Sequence, residues 1–357
     1  VEMILEDLGY TKELEEYHNE SNLASCDIGR VVSQHKDRYT LKTISGDINA
    51  ELIGNLRFTA LSNNELPAVG DWVAISKYDE NKALIHAVFP RRSVLERKAI
   101  GKLGQTQIIA TNIDYGIIVQ SVNRDFNINR LERYLTICYA SQIEPIVILS
   151  KIDLIEKQDL ERLLSQVRAR NKNVSLYAIS NHSNLGIDEI KSLLIKGKTY
   201  CLLGSSGVGK STLINTLSGA KIMQTGEISK GIDRGKHVTS HRELFVIGNG
   251  GILIDNPGMR EVGISDSSEG LEMTFDMIME LSANCKYSNC THTVEKGCAV
   301  LSAMDNGEID ESSYHNYMKL EKEKEFFESS VAEKRKKDKD FGKMIKHFKK
   351  VKNSKCN

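Results

Sequence analysis

The sequence predicts an α/β core built around a phosphate loop, with a small all-β barrel before it and a helical, zinc-binding region after it. Three observations carry that expectation. Gly204-Ser205-Ser206-Gly207-Val208-Gly209-Lys210-Ser211 fits the pattern G-x4-G-K-[ST], between a strand-like stretch at Thr199–Leu203 and a helical one at Thr212–Leu217. Short β-type runs separated by turn signals fill Asp27–Arg97. Cys285, Cys290, His292 and Cys298 fall within a span of 14 residues.

At 357 residues the chain has room for two or three domains. Five segments are expected: an N-terminal extension (1–22), the barrel (23–98), the nucleotide-binding core (99–262), the zinc-binding helical region (263–333) and a basic tail (334–357). Lys+Arg and Asp+Glu balance at 48 each, so net charge selects no partner. No apolar run approaches the roughly 18 residues that a membrane span needs. The N-terminus shows no secretory signal pattern, and seven cysteines point to a reducing compartment, so a cytoplasmic location is expected. In that setting clustered cysteines bind metal more often than they form disulfides.

Residues 1–20 are acidic and helix-prone and read as peripheral. Strands follow at Gly29–Val32, Arg38–Lys42, Ala50–Ile53, Asp71–Ile75 and Ala83–Val88. They suggest a closed five-stranded barrel of OB type, with a small sandwich as the alternative. Such a barrel offers a groove for nucleic acid. Arg30, Lys36, Arg38, Lys42, Arg57, Arg91, Arg92, Arg97 and Lys98 lie in or beside it, with Tyr39, Phe58 and Trp72 interleaved. Each of these alone reads first as a solvated face or a core aromatic, Trp72 as core.

From about residue 106 strands alternate with helices. Tyr115–Gln120 is a buried-type strand, and Asn129–Ser141 is a helix with Leu131, Leu135 and Cys138 on one face. The glycines of the phosphate loop let backbone N–H groups turn inward on phosphate oxygens. Lys210 reaches the β- and γ-phosphates, Ser211 offers its hydroxyl to Mg²⁺, and Thr212 continues into the helix. Upstream, Ser150-Lys151-Ile152-Asp153 follows the apolar run Ile146–Leu149. A carboxylate at Asp153 accepts from both the ring N1–H and the exocyclic amine of guanine, whereas adenine presents a lone pair there. Lys151 lies along the base. Asn is usual where Ser150 stands, and its loss removes an amide that ties this motif to the phosphate loop. Ser180-Asn181 resembles the loop whose backbone N–H meets the guanine carbonyl.

Downstream, Asp255-Asn256-Pro257-Gly258 ends another apolar strand. Asp255 suits Mg²⁺ and Gly258 the γ-phosphate. The pieces are those of a GTPase, in the order of one cut open and rejoined elsewhere. Between them, Gly231–His241 reads as a switch loop, with Thr239 closing over Mg²⁺ and Ser240 its rival. The position that often holds a water-orienting Gln is Met259, so His237 or His241 is expected to serve, unless neither has a role.

Cys285-x4-Cys290-x-His292-x5-Cys298 supplies a complete Cys₃His set with no position left for substrate, hence structural zinc. Cys26, Cys138, Cys201 and Cys356 are scattered. From Lys334 to Lys355 there are eleven basic residues against two acidic ones. Phe341, Ile345 and Phe348 recur there at helical spacing, as in a basic amphipathic helix or a solvated tail.

Together these residues strongly resemble the circularly permuted GTPases that assist assembly of the small ribosomal subunit, the RsgA (YjeQ/YloQ) family. The likeness runs from about residue 27 to 330 and takes in Gly235-Lys236-His237-Val238-Thr239-Ser240. It implies an N-terminal OB fold, a permuted P-loop GTPase core and a C-terminal zinc-bearing helical domain. It implies GTP hydrolysis stimulated by the small (30S) subunit, with 16S rRNA as a partner, a late maturation or release role, a monomer, and His237 as the water-positioning residue. Val238 departs from the family's usual His-Thr-Thr. A P-loop ATPase, or an RNA-binding P-loop paralogue with a different partner, is the alternative.

Overall fold

The computed structural model describes residues 3–35, 38–59, 63–98, 106–123, 126–223, 242–255 and 268–328. Helix α1 (Lys12–Glu20) precedes strands β1 (Asp27–His35), β2 (Arg38–Thr43) and β3 (Gly46–Leu52). Helix α2 (Gly54–Thr59) leads to β4 (Trp72–Asp79) and β5 (Lys82–Val88). The strands pair β1–β2, β2–β3, β3–β5, β5–β4 and β4–β1, which closes a five-stranded barrel; the pairing of β3 with β5 is parallel. The sandwich alternative is thereby excluded. Alternate residues of β2 and β3 point inward, as the two-residue period of a strand requires. Val31, Leu41, Ile48, Val73, Ile75 and Ile85 fill the interior.

Strand β4 breaks the alternation, because Trp72, Val73, Ala74 and Ile75 are all buried. Its outer face is covered by the N-terminal segment, whose Leu8 and Tyr10 pack with Trp72, Ala74 and Phe89. Residues 1–20 are therefore not merely peripheral. Charge and helix propensity describe α1, whereas Leu8 lies in the turn before it and is fully buried. Burying such a side chain contributes about 2 kcal/mol.

A two-stranded antiparallel ribbon, β6 (Val94–Lys98) and β7 (Thr106–Thr111), leads into the second unit. There β8 (Tyr115–Ser121), α3 (Ile128–Ala140), β9 (Glu144–Ser150), α4 (Lys157–Arg170), β10 (Ser175–Ile179), α5 (Ile187–Leu193), β11 (Thr199–Leu203) and α6 (Lys210–Ser218) alternate. Strands β12 (Glu243–Val246) and β13 (Ile252–Asp255) complete the sheet in the order β10-β9-β8-β11-β13-β12. All are parallel except β12, the antiparallel neighbour of β13. Strands β8, β9 and β11 are buried almost throughout, as parallel strands covered on both faces must be. One pairing, Ser33 with Glu243, joins this sheet to the barrel.

Four helices finish the described chain: α7 (Ser268–Thr274), α8 (Asp276–Ser282), α9 (Ala299–Asp305) and α10 (Glu311–Glu328). They pack on α3. Gly270 sits so close to it that a Cβ there would lie 2.3 Å from Thr136 O. Leu271, Phe275, Tyr314, Tyr317 and Leu320 join the core cluster on that side of the sheet.

Two polar junctions hold the parts together. Arg30 of β1 is 1% exposed, although its type suggested a barrel surface. Its guanidinium donates to Leu8 O, Gly70 O (3.2 Å), Asn112 O (3.3 Å) and Thr199 Oγ1 (2.9 Å), and it lies over the Trp72 ring. On the other side, Arg170 of α4 faces Glu132 of α3 (3.3 Å) and Asp310 before α10 (3.3 Å). Asn316 of α10 donates to Glu132 Oε2 (2.7 Å).

Candidate nucleotide and metal sites

Because β8, β9, β10, β11 and β13 run parallel, their C-terminal ends share one edge of the sheet, where open α/β sheets bind ligands. The register fixes how closely the motifs meet. Ile179 pairs with Ser150, Leu202 with Asp255, and Leu203 with Ile118. Ser150-Asp153 after β9, Ser180-Asn181 after β10, the phosphate loop after β11 and Asp255 ending β13 thus line one edge. They are separated in sequence by as much as 105 residues, from Ser150 to Asp255.

The phosphate loop, Gly204–Lys210, turns from β11 into α6. Gly204, Gly207 and Gly209 all have positive φ, and a Cβ on Gly204 would lie 2.3 Å from Val119 O, so the turn demands glycine. Val208 and Leu213 anchor the loop in the core on the α5–α6 side. Lys210 Nζ donates to Gly204 O (2.7 Å) and Ser205 O (2.8 Å), which holds a cation against the loop. Arg130 in the first turn of α3 donates to Ser205 Oγ (2.9 Å), a contact with no signature in the sequence. Ser206 and Ser211 lie partly exposed, and Thr212 exposed, along the same loop and helix start.

The base-side loops are tied to one another and to this loop. Lys151 takes a left-handed conformation, φ 62°, uncommon for a residue with a side chain, and its Nζ donates to Gly207 O (2.6 Å). Ser180 Oγ donates to Asp153 Oδ1 (2.5 Å) and accepts from the backbone N–H groups of His182 and Ser183 (3.2 and 3.1 Å). Ser150 corrects the sequence reading. Its side chain is fully buried, and its hydroxyl donates to Val208 O (2.6 Å), so the tie to the phosphate loop survives the loss of Asn.

Asp255 is buried at the end of β13, beside Leu202. Its carboxylate and the Ser211 hydroxyl are hard oxygen donors, the kind that suit Mg²⁺. His237, Thr239, Ser240, His241, Gly258 and Met259 lie outside the described residues, as do Lys36 and the basic tail from Lys334.

Between α8 and α9 the four predicted metal ligands converge, with every ligand atom within 4.8 Å of the others. Cys285 Sγ lies 3.9 Å from Cys298 Sγ and 3.6 Å from His292 Nδ1, and His292 Nδ1 lies 3.4 Å from Cys298 Sγ. Tetrahedral zinc, with bonds of about 2.3 Å to sulfur and 2.0–2.1 Å to nitrogen, sets ligands about 3.8 and 3.6 Å apart, so the cluster could hold it. Burial disfavours charge on Cys285. The backbone N–H groups of Ala299 and Val300 and the neighbouring thiols outweigh it and hold the thiol below its usual value. Burial lowers the His292 pKa, favouring the neutral imidazole that a metal needs. Tyr314 of α10 donates to His292 O (2.6 Å), fastening the ligand loop to the last helix. Zinc held by these four ligands would supply a crosslink, with no position left for substrate. Cys26, Cys138 and Cys201 lie away from the cluster.

The barrel's basic residues divide. Arg91 donates to both carboxylate oxygens of buried Asp71 and to Asn64 O and Leu66 O, so with Arg30 it is structural. Tyr39 and Trp72 are core. Arg38 and Phe58 remain exposed.

A family model described as RsgA GTPase matches residues 88–265. Another, described as ABC transporter, matches residues 187–354, a stretch that includes the phosphate loop. The chain is 42% identical over 322 residues to "Small ribosomal subunit biogenesis GTPase RsgA 1" of Listeria innocua, covering 90% of this chain and 89% of that protein. It is 40% identical over 299 residues to the Methanosarcina acetivorans protein named "Small ribosomal subunit biogenesis GTPase RsgA", covering 84% and 79%. Among solved structures, YjeQ from Thermotoga maritima superposes with a TM-score of 0.61 at 26% identity, over 82% of this chain and 96% of that one. YloQ, titled a circularly permuted GTPase, gives 0.62 at 24% identity over 87% and 99%, a likeness of fold.

Proposed function

This chain belongs to the RsgA family of GTPases, and we propose that it hydrolyses GTP while bound to the small ribosomal subunit, coupling turnover to late maturation or release of that particle. The observation that carries the reading is the shared sheet edge: Asp153 and Ser180 bonded to each other, Lys151 and Ser150 bonded to the phosphate loop, and Asp255 one strand away.

In this reading Asp153 selects guanine, Lys151 lies on the base face, and the loop Ser180-Asn181 meets the base carbonyl. Gly204–Gly209 present backbone N–H groups to the phosphates, with Lys210 opposite the developing charge. Ser211, Asp255 and Thr239 hold Mg²⁺, which neutralises phosphate charge when bound. Gly258 meets the γ-phosphate, and His237 orients the attacking water. The same reading takes 16S rRNA as the surface met, a monomer as the acting unit and the cytoplasm as the compartment. The segments 1–22, 23–98, 99–262, 263–333 and 334–357 are the corresponding divisions. Among the described residues no helix is long and apolar enough to cross a membrane.

Turnover of GTP and ATP, with and without purified small ribosomal subunits, tests the proposal. Slow GTP hydrolysis that subunits accelerate at least tenfold is expected. Acceleration of ATP hydrolysis instead would remove Asp153 as the base reader, and GTP hydrolysis indifferent to subunits would remove the ribosomal partner.

A further inference from the structure

The phosphate loop takes hydrogen bonds from the base side at three successive carbonyls. Lys151 Nζ donates to Gly207 O (2.6 Å), Ser150 Oγ to Val208 O (2.6 Å) and Asn181 Nδ2 to Gly209 O (3.4 Å). The first two donors stand at the end of β9. The third comes from the other base-side loop, after β10. A Cβ on Gly209 would lie only 3.2 Å from Asn181 Nδ2, so the amide packs directly on the residue that opens α6. Its Oδ1 is buried and has no hydrogen-bond partner among the described residues. Exchanging the two ends of the amide would set two oxygens against each other, so Nδ2 faces the carbonyl.

The loop 180–183 is therefore gripped at two points: Ser180 on Asp153, and Asn181 on the phosphate loop. We infer that the Asn181 side chain is a positioning residue for guanine-nucleotide binding, an amide latch between the base-reading loop and the phosphate loop that stands in for the amide Ser150 lacks. This role belongs to the side chain and is separate from any contact of the Asn181 backbone N–H with the base. A nucleotide spans both loops, so a fixed spacing between them lowers the ordering that binding requires. Ser150 and Asn181 share the task, each holding one of two adjacent carbonyls.

The inference rests on the guanine-nucleotide reading above. Its test is release of the fluorescent analogue mant-GDP from the full-length wild type, Asn181→Ala and Asn181→Asp, with the nucleotide-free thermal midpoint as the folding control. Aspartate keeps the shape of asparagine but cannot donate, and it repels Gly209 O. Release faster by about 2- to 10-fold in both variants is expected, the range of one lost hydrogen bond, with the nucleotide-free midpoint within about 2 °C of wild type. Wild-type release rates from Asn181→Asp overturn the latch. So does a fall in the nucleotide-free midpoint beyond that range in both variants, which marks a general structural role. If the wild type itself fails to bind mant-GDP, the guanine-nucleotide reading falls as well, an outcome distinct from the other two.

Discussion

The core grips its two neighbours by opposite means. At the barrel junction, Arg30 is caged by three carbonyls, one hydroxyl and the face of Trp72; its close partners are all neutral. At the helical junction, Arg170 meets carboxylates, with buried Glu132 on one side and Asp310 on the other, beside the neutral oxygens of Asn129 and Ser312. The first cage is fixed by backbone geometry. Burial lowers the Arg30 pKa only to about 10, so the charge persists at neutral pH. The second contains a group that titrates near neutrality, because burial pushes Glu132 up to about 7 against the pull of Arg170 and Asn316. A neutral cage makes a permanent joint, whereas an ionic one depends on protonation. The helical side adds a metal cluster because α7, α8 and α9 are seven residues each and own little core.

Removal of zinc is expected to have the largest effect and to act on one junction alone. Metal binding in such clusters contributes roughly 10 kcal/mol or more in isolated fingers. A strong chelator, or Cys298→Ser, should abolish protease protection of residues 268–328. Emission of Trp72, the single tryptophan, should stay unchanged because it reports the barrel side. If Trp72 emission shifts with chelation, the two junctions are one cooperative unit and the contrast is lost.

Next in size is Arg30→Met, which keeps bulk but leaves buried acceptors without a donor. A loss of about 3–5 kcal/mol is expected in denaturant unfolding followed by Trp72. Arg30→Lys should recover only part, since an ammonium cannot reproduce the planar fork. Full recovery by lysine would show that charge, not geometry, holds the joint.

The smallest effect concerns Glu132→Gln and appears only as a function of pH. From about pH 4.5, the ordinary carboxyl value, to about 7, the folded chain keeps a proton on Glu132 that the unfolded chain has released. Wild-type stability relative to the glutamine variant should therefore fall as pH rises through that window, by up to about 3 kcal/mol, and level off above it. Parallel stability curves for the two proteins would mean that Arg170 keeps Glu132 ionised throughout.

Some of this was legible in the residues alone. The phosphate loop, Asp153 and the Cys₃His cluster belong to patterns whose spacing is dictated by backbone turns or metal geometry, so they can be read locally. The barrel's strands followed from short β-type runs between turn signals. The basic residues of the barrel could not be sorted the same way. Arg30 and Arg38 are alike as letters, yet one is fully buried and the other stands in solvent. Nor could Leu8 be assigned, because the surface it covers, the outer face of β4, begins 64 residues later in the chain, at Trp72.

By itself, then, the sequence determined which chemical groups the protein carries and the local turns that present them. Glycine at positive φ and paired thiolates leave few conformations open, so these features survive without tertiary context. Only the tertiary structure decided which parallel strand ends share an edge, and therefore that Ser150 and Asn181 divide between two loops a task that usually falls to one amide. It also decided that one arginine joins three segments through neutral acceptors while another depends on a buried carboxylate. Those outcomes turn on desolvation and on contacts between residues far apart in the chain, and neither is encoded in any short window of sequence.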